Sequence, residues 1–106
     1  MSNQPDHRLR ALAHTVRSKN AGPTQLTIDL FFKDAQGYAR AAASPALSCE
    51  AVALLYQLAP AQVQRHLLPE LGAMKFSMPR WICAGSPGDG DVYGAQQHAP
   101  LLDLLL

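Results

Sequence analysis

Two polar segments of the sequence carry the side chains that could do chemistry. The first spans residues 17–22 and places two cations, a hydroxyl, an amide and exposed backbone N–H groups within six positions. Its candidate binding residues are Arg17, Ser18, Lys19, Asn20 and Gly22. Arginine can donate two parallel hydrogen bonds to a carboxylate or phosphate, and lysine adds a mobile charge. We therefore predict an anion-binding loop; the alternative is a polar turn between two strands.

The second segment, GSPGDGDVYGAQQHAP, covers residues 85–100. Its candidate catalytic residues are His98 and Tyr93, and its candidate interface or loop residues are Ser86, Asp89, Asp91, Gln96 and Gln97. Paired carboxylates beside a histidine suit general acid–base chemistry, or oxygen ligation of a divalent cation. The spacing matches no established metal or phosphate motif, so neither a metal nor a cofactor is predicted. The alternatives are turn chemistry for the aspartates and a capping hydrogen bond for the histidine.

His14 is a third candidate catalytic residue because it lies three positions before Arg17. A strand that ends near the first polar segment could bring the imidazole to the same pocket. The alternative is a half-buried histidine with a structural hydrogen bond. His66 falls in the middle of a predicted strand and is expected to lie on the surface.

The composition limits the class of protein. A chain of 106 residues suits one domain, and 48% hydrophobic against 16% charged residues favours a folded globule. A net charge of +1 without a basic run argues against nucleic-acid binding. No apolar run has the roughly twenty residues of a membrane helix. Cys49 and Cys83 are too few for a disulfide framework, so we expect reduced thiols in the cytoplasm.

Four segments are predicted to be strands. Strict alternation in TQLTIDLFF makes residues 24–32 the clearest of them. In LRALAHTV, the side chains of Leu12, His14 and Val16 share one face if the segment is extended. The predicted strands are residues 9–16, 24–32, 63–68 and 73–78, with a loop at residues 17–23 and a turn at residues 69–72.

Asp34 is predicted to cap a helix over residues 35–43, and Ser48 a second helix that Pro60 closes. From Pro79 the chain is predicted to be irregular until a closing element at residues 95–106. The order of elements predicts one α+β domain over residues 1–106, with a mostly antiparallel sheet, helices on one face and a disordered stretch at residues 1–7. Cations near the beginning and aspartates near the end could attract one another, although solvated surface charge is the commoner arrangement.

The run LRALAHTVRSKNAGPTQLTIDLFF and the ending GSPGDGDVYGAQQHAPLLDLLL resemble a family of small proteins known only as a domain of unknown function. That family is similar, more weakly, to the C-terminal domain of the acyclic terpene utilisation protein AtuA, which implies a ferredoxin-like fold. The matching positions are Ala13, His14, Arg17, Ser18 and Gly22. Where the AtuA motif has glycine, aspartate and lysine, this chain has Lys19, Asn20 and Ala21, so an acid–base pair at those positions is not available here.

The resemblance implies a partner more than a reaction. We expect a small accessory subunit of a two-component acyl-CoA or organic-acid catabolic enzyme, docked on a larger AtuA-like subunit with residues 85–98 at the interface. Two alternatives stay open. One is a stand-alone homo-oligomeric hydratase, lyase or isomerase with its site between subunits, and the other is a purely structural or interaction domain.

Overall fold

The computed structural model of the chain describes residues 6–22, 24–79 and 101–106, which form a four-stranded antiparallel sheet and three helices. The spatial order of the strands is β1-β2-β4-β3, so β2 and β4 are central. The strands are β1 (Ala13–Asn20), β2 (Gln25–Phe32), β3 (Gln64–Leu68) and β4 (Ala73–Pro79). The helices are α1 (Leu9–Leu12), α2 (Ala35–Ala43) and α3 (Cys49–Leu55), and short 3-10 turns occupy Pro45–Leu47, Pro60–Gln62 and Pro69–Leu71.

The core lies between one face of the sheet and the helices. Successive side chains of a strand point to opposite faces, so alternating apolar residues form one continuous apolar surface. On this face of the central strands the buried side chains are Leu26, Ile28, Leu30, Phe32, Met74, Phe76 and Met78. They cluster with Ala41, Leu47, Val52 and Ala53 of the helical layer. The predicted α+β class is confirmed, and the arrangement is consistent with a ferredoxin-like fold.

Both predicted helix caps are present. The Asp34 carboxylate accepts a hydrogen bond from the Gly37 N–H at 2.7 Å, and the Ser48 hydroxyl accepts one from the Ala51 N–H at 3.1 Å. Each cap satisfies an N–H group that has no partner within its helix. The sequence therefore located the starts of α2 and α3 correctly.

Arg65 connects the edge strand β3 to the helical layer. Its guanidinium donates to the Leu47 carbonyl at 3.0 Å and to the Ala42 carbonyl at 3.2 Å. These carbonyls lie at the C-terminal ends of a 3-10 turn and of α2, where such groups lack partners along the chain and favour a nearby cation. One half-buried side chain thus satisfies two helix ends.

The two ends of the described chain are held together, which the charge distribution allowed although solvated surface charge was the favoured interpretation. Backbone hydrogen bonds join Leu9 N–H to the Leu104 carbonyl and Leu106 N–H to the His7 carbonyl, each at 2.9 Å. The Arg10 guanidinium lies 2.8 Å from the Asp103 carboxylate. An antiparallel bridge between residues 8 and 105 completes this contact.

Three sequence predictions about the first strand are wrong. Residues 9–12 form a helical turn where a strand was predicted: the Leu9 and Arg10 N–H groups bond to the C-terminal segment, and those of residues 11 and 12 bond to the Arg8 carbonyl. Residues 17–20 belong to β1 where a loop was predicted, because each pairs with a residue of β2. The predicted grouping of His14 with Val16 on one face also fails, since a bulge lies between Ala13 and Thr15.

The predicted closing element is described only over residues 101–106, where the chain makes a tight turn and the bridge at Leu105. The rest of it lies outside the described residues, and so do residues 1–5 of the disordered stretch predicted at residues 1–7. Within the part of the chain that is described, no helix has the length and apolar character needed to cross a lipid bilayer.

Replacing Arg65 by methionine keeps the apolar stem and removes the two charged hydrogen bonds. We expect the free energy of unfolding to fall by about 2 kcal/mol, because two carbonyls at helix ends lose a charged donor. Urea denaturation measures the loss. Arg40→Met, at an exposed position of α2, is the matched control and is expected to change stability by less than about 0.5 kcal/mol. Equal losses in the two variants would contradict the role of Arg65.

The Asp6 carboxylate gives a prediction about pH. Hydrogen bonds from the Arg8 side chain and backbone lower the pKa of Asp6 from 3.8 to about 2. A lowered pKa in the folded state means that this group stabilises the fold above about pH 4, and that the contribution disappears as the pH falls towards about 2. We expect the melting temperature of the wild type to fall more steeply across this window than that of Asp6→Asn. Melting temperatures that fall in parallel with pH for the two proteins would contradict this stabilising role of Asp6.

Candidate functional site

His14 is the extra residue of a β-bulge in β1. Ala13 pairs with Phe32 and Thr15 pairs with Phe31, so a step of two residues along β1 corresponds to a step of one residue along β2. The His14 ring stacks on the Phe31 ring with centroids 5.9 Å apart, and its Nδ1 lies 2.8 Å from the Thr15 hydroxyl. A bulge redirects side chains and often borders a functional site. Here it turns the imidazole onto the sheet face that lies away from the helices, which we call the outer face.

Arg17 also contacts the Phe31 ring. Its guanidinium carbon lies 5.4 Å from the Phe31 centroid, and its Nε donates to the Asp29 carboxylate at 3.3 Å. The Asp29 side chain is 14% exposed, whereas that of Arg17 is 60% exposed. The structure therefore brings His14 and Arg17 together around one ring, with Asp29 holding the guanidinium and most of that cation still open to solvent.

The side chains of residues 17–20 divide between the two faces of the sheet. Arg17 and Lys19 lie on the outer face, opposite Asp29 and Thr27 of β2. Ser18 is only 6% exposed and lies on the inner face, the register partner of core residue Ile28. The predicted loop is thus a strand with a short turn after it, and its four polar side chains do not converge on one ligand.

Asn20 also belongs to the inner side of β1, since it pairs with buried Leu26. Gly22, in the turn that follows, has a φ of +116°, a left-handed conformation that glycine adopts without steric cost. The Ala21 N–H closes the hairpin on the Gln25 carbonyl at 3.0 Å. The role of Gly22 that is visible here is to turn the chain between β1 and β2.

A row of charged and polar side chains crosses the outer face from one edge of the sheet to the other. The register aligns Arg17 with Asp29, Asp29 with Lys75, and Lys75 with His66. Lys19 lies two positions further along β1. Within residues 6–22, 24–79 and 101–106, neither lysine side chain forms an ion pair. Three cations therefore share this face with one carboxylate, which favours the approach of an anion.

Sequence reasoning missed three members of this arrangement, namely Asp29, Phe31 and Lys75. Their signal was the alternation of β2 and β4, which assigns odd-numbered residues to the face opposite the core. Alternation along a strand identifies the face on which each side chain lies, but it does not identify the residues beside that side chain on the neighbouring strands. The partners of Arg17 follow from strand order and register, which the pattern of one strand does not contain.

Seven predicted site residues lie outside the described residues: Ser86, Asp89, Asp91, Tyr93, Gln96, Gln97 and His98. Their proposed chemistry stays a prediction. Among the residues that are described, no group of three histidine, cysteine, aspartate or glutamate side chains is placed to hold a metal ion.

One comparison with known proteins gives a match. A family model described as a domain of unknown function, DUF4387, matches residues 9–105 of the chain. No curated protein and no solved structure matches it.

Proposed function

Because the chain belongs to the DUF4387 family, we propose that it is the small accessory subunit of a two-component enzyme acting on an acyl-CoA or an organic acid. The outer face binds the negatively charged group of that ligand. A larger AtuA-like subunit supplies the rest of the pocket and the remaining chemistry. The observation that carries the proposal is the set of cations Arg17, Lys19 and Lys75 on one sheet face.

The spacing of these cations suits a small anion with more than one charge. Residues two apart in a strand are separated by about 7 Å, and adjacent strands by about 4.8 Å. Arg17 and Lys19 are two apart in β1, and Lys75 lies two strands away. The three backbone positions therefore fall within about 12 Å of one another. Long side chains can close that distance around a carboxylate or a phosphate group.

The exposure of Arg17 on this face supports a second protein as part of the site. Small-molecule pockets bury most of the surface of their ligand, whereas a sheet face contacts a ligand from one side only. The 60% exposure of the Arg17 side chain shows that no described residue covers it completely. A partner surface that closes over the outer face would exclude water and strengthen each ionic contact. The resemblance at Ala13, His14 and Arg17 makes an AtuA-like protein the candidate.

Anion binding can be tested on the isolated chain. We expect Arg17→Gln and Lys75→Gln each to weaken binding of CoA about 10-fold, since each removes a charge-assisted hydrogen bond. Asp29→Asn should strengthen it, because Arg17 is then no longer held by a carboxylate. Titration calorimetry at low salt measures the three affinities. Lys33→Gln, an exposed lysine beyond the end of β2, removes the same charge and is expected to leave binding unchanged.

The signs of these changes decide the outcome. If Lys33→Gln weakens binding as much as Arg17→Gln, the attraction is only the net charge of the chain and the outer face has no special role. If Asp29→Asn weakens binding, the Asp29 carboxylate positions Arg17 for the ligand and does not compete with the ligand for the guanidinium.

The accessory role needs a separate measurement on the native particle. We expect the tagged chain, purified from the cells that encode it, to elute with a larger protein in a fixed ratio. Native mass spectrometry gives that ratio. In the assembled enzyme, the Arg17→Gln variant is compared with Lys33→Gln as its matched control. A monodisperse particle made only of this chain would contradict the accessory role and favour the homo-oligomeric enzyme.

A further inference from the structure

The two edges of the sheet differ in how they are protected against pairing with another strand. Edge strand β1 carries the bulge between Ala13 and Thr15, and Arg17 and Lys19 along its length. Bulges, lysines and prolines are common devices that prevent edge-to-edge pairing. Edge strand β3 (Gln64–Leu68) has no proline or lysine and keeps a regular register with β4. Within the part of the chain that the structure describes, the outer edge of β3 pairs with no other strand and lacks these protections.

Exposed leucines accompany the β3 edge. Leu67 is 42% exposed, Leu68 is 41% exposed and Leu71 is 67% exposed. Together with Pro69 and Glu70 they line a groove of about 210 Å³. Contiguous apolar surface of this kind marks an interaction site more often than isolated exposed leucines do. Backbone groups ready to pair and apolar side chains beside them are the two components of strand addition.

The charge at this edge restricts the occupant. Arg65 is the charged residue of β3, and the Leu47 and Ala42 carbonyls on the inner side hold its guanidinium. Among the described residues of this edge, a strand that adds to it meets no cation that needs an acidic partner. The occupant that fits is a strand without unpaired charge and with apolar side chains of its own. The β3 strand itself has these properties.

We propose that a second copy of this chain occupies the β3 edge, with the two β3 strands antiparallel about a twofold axis at His66. This interface goes beyond the proposed function and stands without it. The two four-stranded sheets become one continuous sheet of eight strands. Such an interface is isologous, so the same short segment supplies both sides.

The position of the axis follows from the length of the strand. Centred on His66, all five residues of β3 face residues of the second copy: Gln64 lies opposite Leu68, and Arg65 opposite Leu67. In this register no cation lies opposite another cation, and the aliphatic part of the Arg65 side chain can pack over Leu67 of the second copy. A shift towards the C-terminal end brings in Pro69, which has no N–H group to donate, and shortens the ladder.

A single substitution at the axis tests the arrangement. In His66→Lys two ammonium groups would lie directly opposite one another, so we expect the dimer to weaken about 10-fold or more while the fold stays intact. Gln36→Lys, at an exposed position of α2, adds the same charge away from the edge and is the control. Sedimentation velocity over a concentration series measures the dissociation constant, and circular dichroism checks the fold.

A cross-link locates the contact independently of affinity. In a Cys49→Ser, Cys83→Ser background, a short thiol-reactive cross-linker should join two copies of the His66→Cys variant. It should not join two copies carrying Leu54→Cys, where the parent side chain is 81% exposed on α3. A wild-type chain that stays monomeric at high concentration overturns the proposal. So does a dimer that His66→Lys leaves intact, or one that cross-links through residue 54.

Discussion

The packing of one face of β2 against the helices constrains the position of nearly every other side chain of the sheet. Leu26, Ile28, Leu30 and Phe32 are between 0% and 5% exposed, and a slip of one residue would turn all four towards solvent. Each exposed side chain would cost about 1.5–3 kcal/mol, so the sum approaches the whole stability of a small domain. Since β2 pairs with both β1 and β4, its position also determines how these two neighbouring strands align with it. Asp29 and Phe31 are on the outer face for this reason.

Local patterns were enough to predict most of the elements. The strict alternation of β2, the capping residues Asp34 and Ser48, and the turn before β4 each act within a few positions of the chain. Gly72, for example, adopts a φ of +58° directly after a 3-10 turn, a position where glycine is favoured. These features need no distant contact, so the sequence alone identifies them.

The first strand was misplaced because its structure depends on distant contacts. Ser18, Lys19 and Asn20 are poor strand formers by composition, and they extend β1 because β2 offers a complete row of partners. Residues 9–12 have an apolar pattern that fits a strand, but the N–H groups of Leu9 and Arg10 bond to the C-terminal segment. The candidate site follows the same rule: the sequence identified His14 and Arg17, and the fold supplied Phe31 and Asp29 between them.

The geometry of the proposed dimer bears on the proposed function. A twofold axis perpendicular to the sheet keeps both outer faces on the same side, so the row from Arg17 to His66 continues into the second copy. The two Arg17 residues would then lie about 34 Å apart, at a strand spacing of about 4.8 Å. At that distance neither copy covers the cations of the other. Pairing through β3 is therefore compatible with the proposed function, since it leaves both proposed anion sites accessible to the proposed larger subunit.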